Sequence, residues 1–320
     1  MHEIMKKIRD IGIVPVIAIN DADKAVPLAK ALCAGGLPVA EITFRTDAAE
    51  EAIRRISQEV PEMLVGAGTV LTKEQVDRAA AAGSKFMVSP GFNPEITQYA
   101  LDKGIVFAPG TATPGEMEQA MAMGLDVVKF FPAEQNGGIA KIKAVAAPYA
   151  KLNFMPTGGV TAANLMDYLS FDRVVACGGT WMVKADLIND GNWDEITRLT
   201  KEAVNAMLGF ELEHIGVNCE NEDEAMQTAK LFELAFGFGI ANGSSSIFCG
   251  KRYIELMKAV GRGKNGHIAI LTNSLSRAVA HLKARGFQFD EANAMQKNGK
   301  TIGMYFEQEF AGFGVHLLQK

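Results

Sequence analysis

Residues 3–213 contain no histidine, so proton transfer in the first two thirds of this 320-residue chain must rest on carboxylate, lysine, tyrosine or water. Cysteine is scarce as well. Cys33, Cys177, Cys219 and Cys249 stand far apart with no C-x-x-C pair, which reads as free thiols in a reducing compartment. No window of 18 uninterrupted apolar residues exists, which excludes a membrane-spanning helix of that kind. The opening MHEIMKKIRD runs into IVPVIAI with no small-residue cleavage site after it, so no signal peptide is read and a cytoplasmic location is expected. Positive charge is not in excess: 32 basic against 37 acidic residues leave a net −5, which favours neither nucleic acid nor an anionic membrane as partner. What is present, 48% hydrophobic and 22% charged residues, is the balance of a soluble globular chain, and the length predicts two domains.

Short apolar runs recur along the first two thirds. They are IVPVIAI (13–19), VAEITF (39–44), LVGAGTV (64–70), KFMVSPG (85–91), IVFAPG (105–110), VVKFFP (127–132), NFMPTGG (153–159) and VVACGG (174–179). Most end in glycine or proline and are rich in Val, Ile and Phe, as strands buried on both faces are. Helical patterns lie between them, among them DAAEEAIRRISQEV and TKEQVDRAAAAG, the latter with Gly83 as C-cap. Such alternation predicts an α/β fold, a (β/α)8 TIM barrel over residues 1–209. A doubly wound open sheet would more naturally carry GxGxxG after its first strand, which here ends IAIN.

In such barrels the chemistry sits where strands end. Glu41, Thr43 and Arg45 share parity on the second strand and are expected on its inner face, with Ile42 and Phe44 beneath the helices. A carboxylate and a guanidinium there form either an acid/base group with a clamp for a substrate carboxylate, or a buried structural ion pair. Lys129, between Val128 and Phe130, has little access to water, and burial disfavours the ammonium form. That environment suits a Schiff-base lysine; the competing reading is a side chain snorkelling from the strand end. The last two strands close with Gly158-Gly159 and Gly178-Gly179-Thr180, where backbone N–H groups can approach a phosphate.

At these motifs the sequence resembles the 2-keto-3-deoxy-6-phosphogluconate (KDPG) and 4-hydroxy-2-oxoglutarate (KHG) aldolases. The likeness covers residues 4–207 and is carried by VPVI, VAEITFRT, VGAGTVLT, SPGFNPE, KFFPAEQNGG, PTGGV and ACGGTWMV. The resemblance implies a class I aldolase with Lys129 forming the imine and Glu41 as general acid/base. It implies that Arg45 and Thr69 hold the keto-acid end with Thr157 beside the imine, and that Pro90, Phe131, Gly158, Gly159, Gly178, Gly179 and Thr180 complete the substrate site. Thr180 stands where serine is more usual in the family. The resemblance further implies a keto-acid phosphate substrate, no cofactor for the aldol step and a homotrimer. Other phosphate-binding barrel enzymes, or a sugar-phosphate sensor, are the rival readings, and neither requires Lys129 and Arg45 to converge on a keto acid.

Residues 210–320 form a second, smaller α+β domain in this reading. From Glu211 onward it carries 12 basic and 12 acidic residues, so the −5 belongs to the first part. His214-Ile215-Gly216-Val217 returns 53 residues later as His267-Ile268-Ala269-Ile270, each followed by a helical segment and then strands, a doubled βαβββ unit. It resembles the glyoxalase/vicinal-oxygen-chelate superfamily, which implies metal ligands on the first and last strand of each module: His214, Glu255, His267 and His316. The ion expected is Zn, Ni, Fe or Mn. Histidine at the fourth place departs from the more usual glutamate. A metal-dependent isomerase or lyase, a regulatory binding module and an assembly element all remain open. His281, next to Lys283, is read as a surface residue.

Overall fold

Each apolar run of the first two thirds becomes a short parallel strand in the computed structural model, which describes all 320 residues. The strands are β1 (Ile13–Ile17), β2 (Val39–Thr43), β3 (Leu64–Gly68), β4 (Met87–Val88), β5 (Phe107–Ala108), β6 (Gly110–Thr111), β7 (Val127–Phe130), β8 (Asn153–Pro156) and β9 (Cys177–Gly179). Every residue of β1 and β2 is buried, because helices cover one face and neighbouring strands fill the other. Pairing runs β5-β4-β3-β2-β1-β9 in one sheet and β6-β7-β8 in another. Parallel bridges Phe154–Val174 and Thr157–Gly178 link the β8 segment to the β9 segment. One run, IVFAPG, is split into β5 and β6 around Pro109, which has no N–H to give to a ladder. The result is a curled parallel sheet in an α/β unit.

A helix not read from the sequence, Glu3–Ile11, precedes β1. His2 caps it, Nδ1 accepting from the Ile4 N–H at 3.2 Å. Its buried Met5 and Ile8 pack with Val39 and Val127, the first residues of β2 and β7. The starting ends of the strands are thereby plugged with apolar side chains, leaving polar groups to gather at the other ends.

The chain divides into two compact units, Met1–Met207 and Leu208–Lys320. In the second, the order is β10 (Glu211–Asn218), a helix Glu222–Phe236, β11 (Ile240–Asn242), β12 (Ser246–Cys249) and β13 (Ile254–Met257), then β14 (Gly266–Thr272), a helix Leu275–Lys283, β15 (Met295–Lys297), β16 (Lys300–Phe310) and β17 (Phe313–Gln319). The eight strands form one sheet, β11-β12-β13-β10-β14-β17-β16-β15, with β10 and β14 antiparallel at its centre. Each central strand has the last strand of its own half as parallel outer neighbour, β13 beside β10 and β17 beside β14. His281 is buried, contrary to the surface reading: with Leu275 and Ala278 it repeats every third residue along the inward face of its helix. No helix anywhere in the chain is long and apolar enough to cross a membrane.

Candidate functional site

The carboxyl ends of the first unit's strands surround a cavity of about 320 Å³. It is lined by Glu41, Arg45, Thr69, Pro90, Lys129, Phe131, Thr157, Gly158, Gly159, Gly178, Gly179 and Thr180, with Val16 and Val160. Every catalytic and substrate-binding residue that the resemblance implies therefore lines it. Thr43 does not: it is buried, and its hydroxyl donates to the Ile17 carbonyl on β1 at 2.9 Å. Thr43 shares the strand parity of Glu41, but this bond to β1 holds its hydroxyl; Arg45, beyond the strand's end, lines the cavity.

At the floor, Lys129 Nζ donates to Glu41 Oε1 at 3.0 Å and to Oε2 at 3.3 Å. Lys129 is 4% exposed and Glu41 1%, which disposes of the snorkelling alternative. Nor is Glu41 tied to Arg45 as a structural pair; its charged partner is Lys129. A buried pair of this kind contributes little net stability, since desolvation of both charges offsets their attraction. Its presence at the base of a cavity therefore points to chemistry. The Lys129 ammonium also lies 5.7 Å from the Phe131 ring centre, an apolar wall on the cavity side.

Three further features suit a ligand. Thr157 Oγ1 is buried and has no hydrogen-bond partner within the chain. Thr69 has φ +58°, a left-handed conformation that a β-branched residue rarely holds and that costs ~1–3 kcal/mol. Gly158 and Gly159 have φ +98° and +78°, a conformation open to glycine that turns consecutive backbone groups toward one side. Behind that loop, Glu134 accepts a hydrogen bond from the buried Tyr168 hydroxyl. Burial first, and the Glu134 carboxylate second, push the Tyr168 hydroxyl well above its ordinary pKa.

Gly68 leaves room for Glu41: a Cβ there would stand 2.7 Å from Glu41 Cγ and Cδ. Gly68→Ala is expected to displace the carboxylate and lower kcat roughly 100-fold, as ångström-scale misplacement of a reacting group does. Steady-state kinetics beside a thermal melt checks this; unchanged kcat in a folded variant would contradict it.

The four polar residues singled out in the second unit also converge. Register pairs Gly216 of β10 with both His267 of β14 and Glu255 of β13, and Ala269 of β14 with His316 of β17. His214 Nε2 and His267 Nε2 lie 3.1 Å apart, and Glu255 Oε2 is 3.0 Å from each. One ring nitrogen from each of His214, His267 and His316 falls within 4.8 Å of the others. All three rings are buried, and His214 Nδ1 and both nitrogens of His316 have no partner in the chain. Burial, and then the neighbouring His267 and His214, lower His316 to about 3, so it is neutral near pH 7. Burial opposes ionisation of Glu255, yet hydrogen bonds with His214, His267 and Ser246 hold its carboxyl well below the usual range.

Comparison with known proteins decides the first unit. The family model for KDPG and KHG aldolases matches residues 4–199. The chain belongs to the KDPG and KHG aldolase family. Among curated relatives, the 2-dehydro-3-deoxy-phosphogluconate aldolase of Haemophilus influenzae is 49% identical over 204 residues, 64% of this chain and 96% of the relative. The KHG/KDPG aldolase of Escherichia coli is 46% identical over 192 residues, 60% of this chain and 90% of the relative. Among solved structures, KDPG aldolase from Legionella pneumophila, with pyruvate captured as a covalent carbinolamine, is 36% identical with a TM-score of 0.60, covering 62% of this chain and 97% of that one. As a member of this aldolase family the chain is a carbon–carbon lyase. Residues 200–320 lie outside the family match.

Proposed function

We propose that the first unit is a Schiff-base aldolase that cleaves 2-keto-3-deoxy-6-phosphogluconate to pyruvate and glyceraldehyde 3-phosphate, and 4-hydroxy-2-oxoglutarate to pyruvate and glyoxylate. The carrying observation is Lys129 Nζ hydrogen-bonded to Glu41, both buried at the floor of the cavity. The curled sheet closes as a (β/α)8 barrel in this reading. In support, β4 pairs with Phe107–Ala108 while β7 pairs with Gly110–Thr111, on either side of Pro109.

The chemistry follows from the groups. Lys129 passes its proton to Glu41 and, as the neutral amine, attacks the substrate C2 ketone. Glu41 returns protons as the carbinolamine loses water, leaving a protonated imine. That cation is the electron sink: the C4 hydroxyl gives its proton to the Glu41 carboxylate, the C3–C4 electron pair moves toward C2, and the aldehyde departs. The remaining enamine is protonated at C3 and hydrolysed to pyruvate and free Lys129. The iminium supplies the polarisation that a Lewis acid supplies elsewhere. Arg45 forms charge-assisted hydrogen bonds to the substrate carboxylate. Thr157 Oγ1, unpartnered in the chain, donates to the carbinolamine oxygen. The Gly158–Gly159 loop and Gly178–Gly179–Thr180 receive the phosphate.

Borohydride added with pyruvate is expected to fix a covalent adduct on the peptide carrying Lys129, read by mass spectrometry. An adduct elsewhere, or none, would overturn the assignment. Thr157→Val, which keeps the shape and removes the orphan hydroxyl, is expected to lower kcat about 10-fold, the scale of one lost hydrogen bond; equal kcat in both proteins would remove Thr157 from the reaction.

For the second unit a metal centre is the reading favoured by the convergence of His214, Glu255, His267 and His316. Buried imidazole nitrogens without partners are costly unless something fills them, and a metal ion does so. The donor set fits a divalent ion, and the doubled βαβββ order supports a glyoxalase/vicinal-oxygen-chelate-type module. When bound, such an ion supplies Lewis acidity toward oxygen ligands. Metal analysis of the full chain, before and after His214→Ala with Glu255→Ala, tests it; negligible metal in both samples overturns it.

A further inference from the structure

We propose that the second unit selects a borderline late first-row ion, of the zinc and nickel kind, over manganese or magnesium, and that His316 sets this choice. The proposal rests on the metal-centre reading above and narrows it.

The donor inventory carries the argument. Three of the four groups are imidazoles, and Glu255 is the single carboxylate among them. Glu255 is restricted further. Ser246 Oγ donates to its Oε1 at 2.6 Å, while Oε2 is the oxygen facing the two imidazoles. With Oε1 engaged, the carboxylate offers one atom. The protein thus presents four donors, three nitrogen and one oxygen. Magnesium and calcium take six or more oxygens, and manganese shares that preference. Imidazole-rich sets of low coordination number suit zinc, nickel and their neighbours.

His316 is the residue that tips the balance. A carboxylate in its place would bring the count to two charged oxygens and two nitrogens, acceptable to a harder ion. As histidine it contributes nitrogen and no charge. Both its ring nitrogens are buried and unpartnered. Its ring neighbours His214, His267 and Tyr305, at 5.8, 5.2 and 4.5 Å between centroids, make no hydrogen bond to it. The arrangement also has a built cradle. Gly216 lies beneath the His267 ring, and any Cβ there would overlap the ring atoms.

The test uses the full chain, stripped with a chelator and then dialysed against equal concentrations of zinc, nickel, manganese and magnesium. Bound metal is measured by elemental analysis. Close to one zinc or nickel per chain is expected, with manganese and magnesium at least tenfold lower. His316→Glu is expected to raise the manganese-to-zinc ratio tenfold or more. Ser246→Ala, which frees Glu255 Oε1, should move the ratio in the same direction by less. Preference for manganese or magnesium in the unaltered chain overturns the proposal without needing any variant to fold. So does an unchanged ratio in a folded His316→Glu. Retention of none of the four ions defeats the metal-centre reading itself, and the proposal with it.

A separate set of hydrogen bonds carries a second proposal, on the aldolase unit. We infer that Asn164 is a positioning residue that turns the Gly158–Gly159 loop toward anions. The loop's carbonyls are drawn away by donors: Ala133 N–H to Thr157 O at 2.8 Å, Glu134 N–H to Gly158 O at 3.1 Å and Asn164 Nδ2 to Gly159 O at 3.1 Å. Asn164 Oδ1 meanwhile accepts from the Thr161 N–H at 2.8 Å, fixing the amide. Gly159 and Val160, whose N–H groups have no acceptor in the chain, line the cavity. Carbonyl oxygens would repel a phosphate, so holding them back is what leaves a donor face.

This rests on the loop being the phosphate end of the substrate site. In Asn164→Ala, the kcat/KM ratio of phosphorylated six-carbon substrate to 4-hydroxy-2-oxoglutarate is expected to fall about tenfold, and the Kd of inorganic phosphate to rise by a similar factor. Asn164→Asp, which keeps the acceptor but removes the donor and adds charge, should do more. Equal losses on both substrates, with unchanged phosphate affinity, would make Asn164 merely structural. No measurable phosphate affinity in the unaltered protein would instead refute the loop's assignment.

Discussion

Lys129→Ala is expected to abolish aldol cleavage, with kcat falling by about 10⁴-fold or more, as when a covalent nucleophile is removed from an otherwise intact site. No side chain replaces it: no other lysine lines the cavity, and the other cationic residue that does, Arg45, cannot serve as a neutral nucleophile. The substitution also leaves Glu41 buried without its partner. Removing one member of a buried pair destabilises by ~3–5 kcal/mol unless the carboxyl takes up a proton, so a lowered melting temperature accompanies the loss. Lys129→Met is the useful companion because it keeps the apolar stem. Cleavage at an undiminished rate in either folded variant would end the imine route, as would borohydride trapping of pyruvate that persists without Lys129.

Glu41→Gln is expected to lower kcat by about 10²–10⁴-fold, the contribution of a positioned general acid/base. Its signature differs from that of Lys129→Ala. The amine remains, so pyruvate is still trapped by borohydride, but slowly, because carbinolamine dehydration has lost its proton carrier. Rate of trapping and rate of turnover should fall together. Full-speed trapping with slow cleavage would confine Glu41 to the C4 hydroxyl; full-speed turnover would leave it no role. The glutamine is nearly isosteric, so the cavity shape that Gly68 permits around residue 41 is preserved.

The parts of this site that could be read from the chain alone share one property: they break a local rule. A lysine inside VVKFFP and a glutamate inside VAEITF are charges within apolar runs, and the strands they sit on, Val127–Phe130 and Val39–Thr43, are buried throughout. The glycine pairs were visible because they recur at the ends of two successive strands. The supporting residues obey local rules and stayed hidden. Asn164 stands just before, and Tyr168 within, the short helix Leu165–Leu169, and only the folded loop reveals what they hold. The Glu3–Ile11 helix is absent from the sequence reading although Ile4, Met5, Ile8 and Ile11 stand at helical spacing, all four packing into the core beneath the strands. His281, mid-helix beside Lys283, reads as a surface residue, whereas its spacing from Leu275 and Ala278 turns it inward. Thr43 had the right parity, but its hydroxyl is satisfied by a neighbouring strand.

The gathering of His214, His267 and His316 at one buried point has a practical corollary. Of five imidazoles in the polypeptide, three report on that point and two, His2 and His281, stand apart as internal references. None belongs to the cavity of the lyase. Ring-proton resonances in a magnetic resonance spectrum therefore give a readout of one half of the molecule while the other turns over substrate, with no need to cut the two apart.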